Sequence, residues 1–159
     1  MAEQVQEVLD QMVAPLRDLM DRHIFTETEV REIVARRRES EYLLRRRAAR
    51  KADFLRYIEA EELLEELRRA RTEQQKKDHR QSQRYQADDD DVDDNSDQDA
   101  PPKKKKEEPH IGDTHIMQHI HLLFVRAIRK FRSDLSLHLL HVDFCKKHKC
   151  WTRLSKVYA

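Results

Sequence analysis

The chain has 159 residues, of which 40% are charged and only one is glycine. Its mean hydropathy is −0.98, yet its leucine, isoleucine, valine and alanine residues recur in periodic segments. This pattern excludes a wholly disordered chain and a turn-rich sheet fold, and it favours helices with a charged insertion. No apolar run resembles a signal peptide or approaches the ~20 residues of a membrane span. The two cysteines, Cys145 and Cys150, fit free thiols in a reducing compartment.

The formal net charge of +1 hides a strong segregation of charge along the chain. Residues 1–87 carry 19 basic and 18 acidic side chains, whereas residues 88–99 carry eight aspartates and no base. Residues 100–109 and 110–159 have net charges of +2 and +6. The local patches therefore say more about binding partners than the total charge does.

The N-terminal region is predicted to hold two helices. Apolar residues at helical spacing predict the first over residues 2–23, and Pro15 should kink or divide it because proline lacks a backbone donor. Thr26 followed by Glu29 has the pattern of a capping box, which is a strong start signal for the second helix.

The second helix leads into a basic segment. Residues 36–51 contain eight bases and two glutamates, and the bases are Arg36, Arg37, Arg38, Arg45, Arg46, Arg47, Arg50 and Lys51. We expect these bases to contact a partner or RNA phosphates. The alternative is a solvated face that pairs with the acidic residues of the next helix, within residues 59–66. Tyr42 is the only aromatic residue in the segment, which argues against sequence-specific reading of RNA.

A third helix is predicted from about residue 52, and the chain changes character at residue 72. Residues 72–110 are predicted to be a disordered linker, because the aspartates of 88–99 repel one another and Pro101-Pro102 stops a helix. The run that follows the prolines has the form of a nuclear import signal, and it consists of Lys103, Lys104, Lys105 and Lys106.

Residues 111–159 are predicted to form a helical hairpin and the start of a further helix near Trp151. The first helix carries an apolar stripe, and Ser133 or Asp134 can cap the second. The second helix places Phe144 on one side with either Leu140 or His141. Such a hairpin cannot bury both stripes alone, so it needs neighbours, as solenoid repeats do.

Zinc-type ligands occur in the same region, where seven of the nine histidines lie. His115 and His119 are spaced i, i+4, and a second series runs His141-x-x-x-Cys145-x-x-His148-x-Cys150. The spacing is not that of a recognised zinc finger, so packed or surface histidines are favoured and no metal or cofactor is predicted. The chain also lacks a glycine-rich phosphate loop and a supported nucleophile, so no catalytic residue and no enzyme is predicted.

Two motifs resemble half-a-tetratricopeptide (HAT) repeats. Phe54-x-x-Tyr57-x-x-x-Glu61 is similar to the opening of a HAT helix pair, and residues 124–128, Phe-Val-Arg-Ala-Ile, resemble the F-E-R-A-L signature of its second helix. A third segment, His138-x-x-His141-x-x-Phe144, lies where such repeats usually show Trp-x-x-Tyr-x-x-Phe, with histidines in place of two aromatics. The resemblance implies packing roles for Phe54, Tyr57, Glu61, Phe124, Ala127 and Phe144.

The order of short fragments over residues 3–71 and 114–158 resembles the U3 small nucleolar RNA-associated protein 6 family. That resemblance implies an all-α solenoid of the HAT or tetratricopeptide type, divided into a helical region (1–71), the linker (72–110) and a hairpin (111–159). It also implies an N-terminal portion or shortened form of a longer protein. The expected role is a non-enzymatic scaffold of the small-subunit processome in the nucleolus of the nucleus, serving pre-rRNA processing and 18S rRNA maturation.

The family resemblance further implies particular partners: other processome subunits, including β-propeller proteins, and indirect contact with the U3 snoRNP and pre-rRNA. No membrane and no small-molecule substrate is expected. Two alternatives remain at this stage. One is an RNA-binding adaptor that uses the basic segment. The other is a HAT scaffold of a different RNA-processing complex, since a fold alone does not choose between machines.

Overall fold

The computed structural model describes residues 2–87 and 110–158, which form six helices and no strand. The helices are α1 (Ala2–Asp21), α2 (Glu27–Leu44), α3 (Lys51–Ala87), α4 (Ile111–Lys130), α5 (Leu135–Lys147) and α6 (Trp151–Tyr158). The all-α prediction is therefore confirmed for the described residues. None of these helices combines the length and apolar character that crossing a membrane requires.

The predicted start signals lie where the helices begin. The Thr26 side chain accepts a hydrogen bond from the Glu29 backbone, and the Glu29 carboxylate accepts one from the Thr26 backbone N–H at 2.9 Å. Asp134, rather than Ser133, caps α5 by accepting from the Ser136 backbone N–H at 3.0 Å. Helix α1 runs through Pro15 without a break, so the proline does not divide it.

Helix α3 is longer than expected. It continues past Arg71, where we placed the end of the first helical region, as far as Ala87. Residues 72–87 contain no glycine or proline and consist mostly of polar helix formers, so the helix propagates although the side chains of residues 73–82 are exposed. The aspartate run of 88–99 and the proposed import signal at 103–106 lie outside the described residues.

The core is organised around α4, as the sequence pattern indicated. This helix packs against both α1 and α3, while α5 packs on α4 and α6 packs on α5. One face of α4 is fully buried, and its members are Ile116, Ile120, Leu123 and Ala127. On α5 the buried position is taken by His141, whereas Leu140 is exposed.

The start of α4 is held against its neighbours by polar contacts. The Gly112 backbone N–H donates to Asp18 Oδ2 of α1 at 3.1 Å. Asp113 Oδ1 accepts from Arg22 at 3.0 Å and from Arg68 of α3 at 2.7 Å. A Cβ atom at Gly112 would lie only 2.7 Å from Leu19 Cγ, so the two helices meet at a point where only glycine fits without a shift.

Candidate interaction surface

The six predicted packing positions are all buried. The ring of Phe54 meets Phe131 edge-on at 5.9 Å, and the Tyr57 hydroxyl lies 2.8 Å from His119 Nε2. Burial also raises the pKa of Tyr57 well above its ordinary value. Phe124 of α4 contacts Phe144 of α5 at 5.5 Å. These side chains therefore join α3, α4 and α5 at one core.

Glu61 is also one half of a buried ion pair. Arg37 of α2 donates to its two carboxylate oxygens at 2.8 and 2.6 Å, and Arg37 is only 1% exposed. Burial opposes the charge of Arg37, but the adjacent carboxylate outweighs this, so the pKa of Arg37 is raised. The prediction of Arg37 as an interface residue is wrong, because its guanidinium is committed to the interior.

Two further bases join helices. Arg126 of α4 donates to both oxygens of the buried Glu41 carboxylate at 2.7 and 2.9 Å. Lys51 lies 2.6 Å from Asp134, the cap of α5, and also bonds to Ser136. The hydrogen bond from Lys51, with help from Ser136, lowers the pKa of Asp134 to about 2. Lys51 is half-buried and already paired, so it is a weaker interface candidate than its neighbours.

The remaining bases of the segment reach the surface. Arg45 is half-buried and has a partner, whereas five arginines are exposed and make no ion pair within the described parts of the chain: Arg36, Arg38, Arg46, Arg47 and Arg50. Three of these lie in the loop between α2 and α3. A helix carboxyl end carries partial negative charge, which favours arginine there.

The structure adds bases that the sequence did not suggest. The last turn of α4 and the turn that follows it carry three exposed bases. Two contacts hold this turn beside the α2–α3 loop: Lys51 with Asp134, and Phe54 with Phe131. We define the basic surface as Arg46, Arg47, Arg50, Arg129, Lys130 and Arg132. Local periodicity could not find it, because it joins the α2–α3 loop to the end of α4, about 80 residues away in sequence.

A groove of about 550 Å³ lies between α3 and α5. Its floor is apolar and includes Ile58, Phe124 and Phe144, and its rim includes the carboxyl groups of Glu62 and Asp143. Burial raises the pKa of Glu62 above its ordinary value. The groove has the dimensions of a small binding site. Its rim is mainly acidic.

The zinc-type residues are only partly brought together. His119 Nε2 is used by Tyr57, so the i, i+4 pair with His115 does not form a chelate. His121 Nδ1 lies 3.1 Å from His141 Nε2, beside Cys145. Both cysteines are free thiols, and burial raises the pKa of Cys145 to about 11.

The comparisons with known proteins identify the family. The model of the family described as "U3 small nucleolar RNA-associated protein 6" matches residues 9–92, which is more than half of the chain. The chain belongs to this family. The matched residues include α2 and its basic segment, together with Phe54, Tyr57 and Glu61 of α3.

The match extends through α6 in individual relatives. The chain is 29% identical over 160 residues to the human U3 small nucleolar RNA-associated protein 6 homolog. This alignment covers 100% of this chain and 22% of the human protein. It is 30% identical over 157 residues to the Schizosaccharomyces pombe protein of the family, covering 99% of this chain and 26% of that protein. The mouse homolog is 28% identical over 160 residues. The chain thus spans about a quarter of the length of these curated relatives.

Proposed function

We propose that this chain is a non-enzymatic scaffold that acts with the U3 snoRNP in nucleolar pre-rRNA processing. The observation that carries the proposal is family membership, since relatives aligned along all six helices are named for association with U3 small nucleolar RNA. The described residues offer helix faces and charged patches as binding surfaces. A scaffold acts by binding its partners through such surfaces. The partners are other processome subunits, including β-propeller proteins, with the U3 snoRNP and pre-rRNA reached through them.

The architecture behind this role is a HAT-type array. Helices α3 and α4 form its first helix pair, with residues 88–109 inserted between them, and α5 opens the next. The support is the common burial of Phe54, Tyr57 and Glu61 on α3 with Phe124 and Ala127 on α4. In such arrays each pair buries its apolar face against its neighbour, which leaves the outer faces free for partners.

Purification of the tagged chain from nuclear extract tests the proposal. We expect U3 snoRNA and processome subunits to be enriched, and spliceosomal RNAs to stay at the level of an untagged control. The matched control is a chain in which Phe124 is replaced by Asp, which should disrupt the α3–α4–α5 core and lose the partners. Enrichment of spliceosomal RNAs in place of U3 would contradict the proposal and favour a HAT scaffold of another complex.

Direct RNA binding is the second candidate function, and the basic surface favours it. The six exposed bases of the basic surface can neutralise several phosphates, and such binding weakens steeply with salt. We expect Arg46, Arg47 and Arg50→Gln together to reduce the slope of log Kd against log salt by about 2 for single-stranded RNA. A variant with three exposed bases replaced elsewhere (Arg17, Arg31 and Lys76→Gln) has the same net charge and should bind like the parent. Equal loss in both variants, or no salt dependence, would argue for contact through protein partners only.

A further inference from the structure

Three ligand-type side chains meet in the interior between α4 and α5. They are His121 of α4 with His141 and Cys145 of α5, and one ligand atom from each lies within 4.8 Å of the other two. All three are buried, with exposures of 5%, 0% and 0%. His141 stands where HAT repeats usually show a tyrosine, whereas His121 and Cys145 are not among the six packing positions that the family resemblance implies.

The distance between the two imidazole nitrogens is close to that of a tetrahedral metal site. Zinc bonds of ~2.0–2.1 Å to nitrogen and ~2.3 Å to sulfur place two nitrogen ligands about 3.4 Å apart, and a nitrogen and a sulfur about 3.6 Å apart. His121 Nδ1 and His141 Nε2 are 3.1 Å apart, close to the first of these values. His141 and Cys145 are spaced i, i+4, so they present their ligand atoms side by side from one face of α5.

A fourth donor stands close to the cluster. His148 follows Cys145 by three residues, and its ring lies 4.5 Å from that of Phe144. Both of its ring nitrogens are buried, and neither has a hydrogen-bond partner. A buried imidazole that satisfies neither nitrogen is costly unless it has another use. Its two unsatisfied nitrogens make His148 the candidate for the fourth ligand that a closed zinc site requires.

We propose that His121, His141 and Cys145 bind a zinc ion that ties α4 to α5, with His148 as its fourth ligand. Two imidazoles and a thiolate select a borderline-soft ion such as zinc over magnesium or calcium, which prefer oxygen ligands. The site would be structural, since the three core ligands are shielded from solvent. It would hold the hairpin together in a fold whose α5 contributes few other buried side chains.

Cobalt titration of the metal-free full chain tests the site, because cobalt reports thiolate ligation by a charge-transfer absorption. We expect one equivalent of Co²⁺ to produce this band and one equivalent of Zn²⁺ to abolish it. Cys145→Ser should remove the band, whereas the matched control Cys150→Ser should keep it. His121→Gln and His141→Gln should weaken zinc binding by more than about 100-fold, beyond the loss typical of an outer-shell change. His138→Gln should bind like the parent.

The helicity of each variant is measured by circular dichroism to show that it is folded. Thermal melting with and without zinc is a second readout of zinc binding. Zinc should raise the melting temperature of the parent and of Cys150→Ser, but not that of His121→Gln. Absence of the cobalt band in the folded parent, or its equal loss in Cys150→Ser, would overturn the site. Parental affinity in His148→Gln would overturn the assignment of the fourth ligand.

Discussion

Gly112 shows how a single residue determines the distance between two helices. Its N–H donates to Asp18, and it lies against Leu19, which is fully buried. A methyl group at this position would come within 2.7 Å of both neighbours. The one glycine of the chain is therefore a packing residue, and its place in α4 follows from the close approach of α1.

We expect Gly112→Ala to destabilise the protein. Alanine gains up to ~1 kcal/mol in helix propensity, but overpacking costs about 1–3 kcal/mol because the added Cβ would crowd the fully buried side chain of Leu19. Urea unfolding measures the net loss. In a Leu19→Ala background, where space has been made, the same substitution should cost less. A Gly112→Ala protein as stable as the parent would show that the helices separate easily here.

Local residue patterns were predictable and distant contacts were not. The capping box of Thr26 and Glu29 lies within four residues, so the sequence alone located the start of α2. The burial of Arg37 depends on a carboxylate 24 residues away, and a run of three arginines contains no sign of which one turns inward. Likewise, no spacing rule placed His121 beside His141, since the two lie on different helices.

At the scale of helices, charged pairs connect the elements where apolar contact is limited. Arg37–Glu61 joins α2 to α3, and Arg126–Glu41 joins α2 to α4. Arg71 of α3 donates to Glu29 at 2.7 Å and also to a backbone carbonyl that follows α1. Because α2 has a narrow apolar face, these pairs determine how it docks.

Removing one partner of the buried pair should be costly. We expect Arg37→Met to lower the free energy of unfolding by about 3–5 kcal/mol, since Glu61 is then left charged and buried. Glu61→Leu in the same chain should recover much of this loss, because both charges are gone. Denaturant unfolding of the two single variants and the double variant measures the coupling.

The control for that cycle is Arg31→Met. Arg31 pairs with Glu27 on the exposed side of α2, and exposed pairs contribute only about 0–1 kcal/mol. A loss in Arg37→Met no larger than in this control would contradict the structural role of the pair.

Helix starts were easier to predict than helix ends. Asp134 and Thr26 are N-cap residues, whose side chains accept backbone hydrogen bonds from the first turn of the helix, and such residues can be recognised in the sequence. The end of α3 has no such mark in the sequence, because residues 72–87 lose their apolar stripe while keeping helix-forming side chains. The helix therefore continues through residues 73–82, whose side chains are exposed.

For the whole molecule, buried histidines on α4 make stability sensitive to acid. Burial lowers the pKa of His115 to about 4 and that of His119 well below its ordinary value of 6.5. Both are neutral in the folded state at pH 7. Between pH 6.5 and 4 the unfolded chain binds more protons than the folded chain, so stability falls as the pH falls.

We expect the free energy of unfolding to be constant near pH 7.5 and to decline from about pH 6.5 towards 4. The carboxyl groups of Glu29 and Asp134 add their loss only at lower pH, because hydrogen bonds from Arg71 and Lys51 hold their pKa values at about 2. Urea unfolding across this range, with a chelator present, gives the profile. His115→Gln should make the decline less steep without abolishing it, because His119 still contributes. A flat profile in the parent would contradict the assignment.

The assembly of the core was partly foreseeable. The stripe of Ile120, Phe124 and Ala127 indicated that α4 needs neighbours, and α1 and α3 supply them. The basic surface was not foreseeable, since it forms only when the α2–α3 loop meets the α4–α5 turn. The groove between α3 and α5 has the same origin, because it exists only between helices that the chain brings together from a distance.

The length of α3 has a consequence for the distribution of charge. Its 37 residues span about 55 Å at ~1.5 Å per residue. The arginine loop precedes its first residue, and eight aspartates follow closely after its last. Because ions screen attraction beyond about 8 Å in physiological salt, the bases of the arginine loop are not neutralised by charges at the far end of α3. The charge of the arginine loop therefore stays available to an acidic partner that approaches this end of the helix.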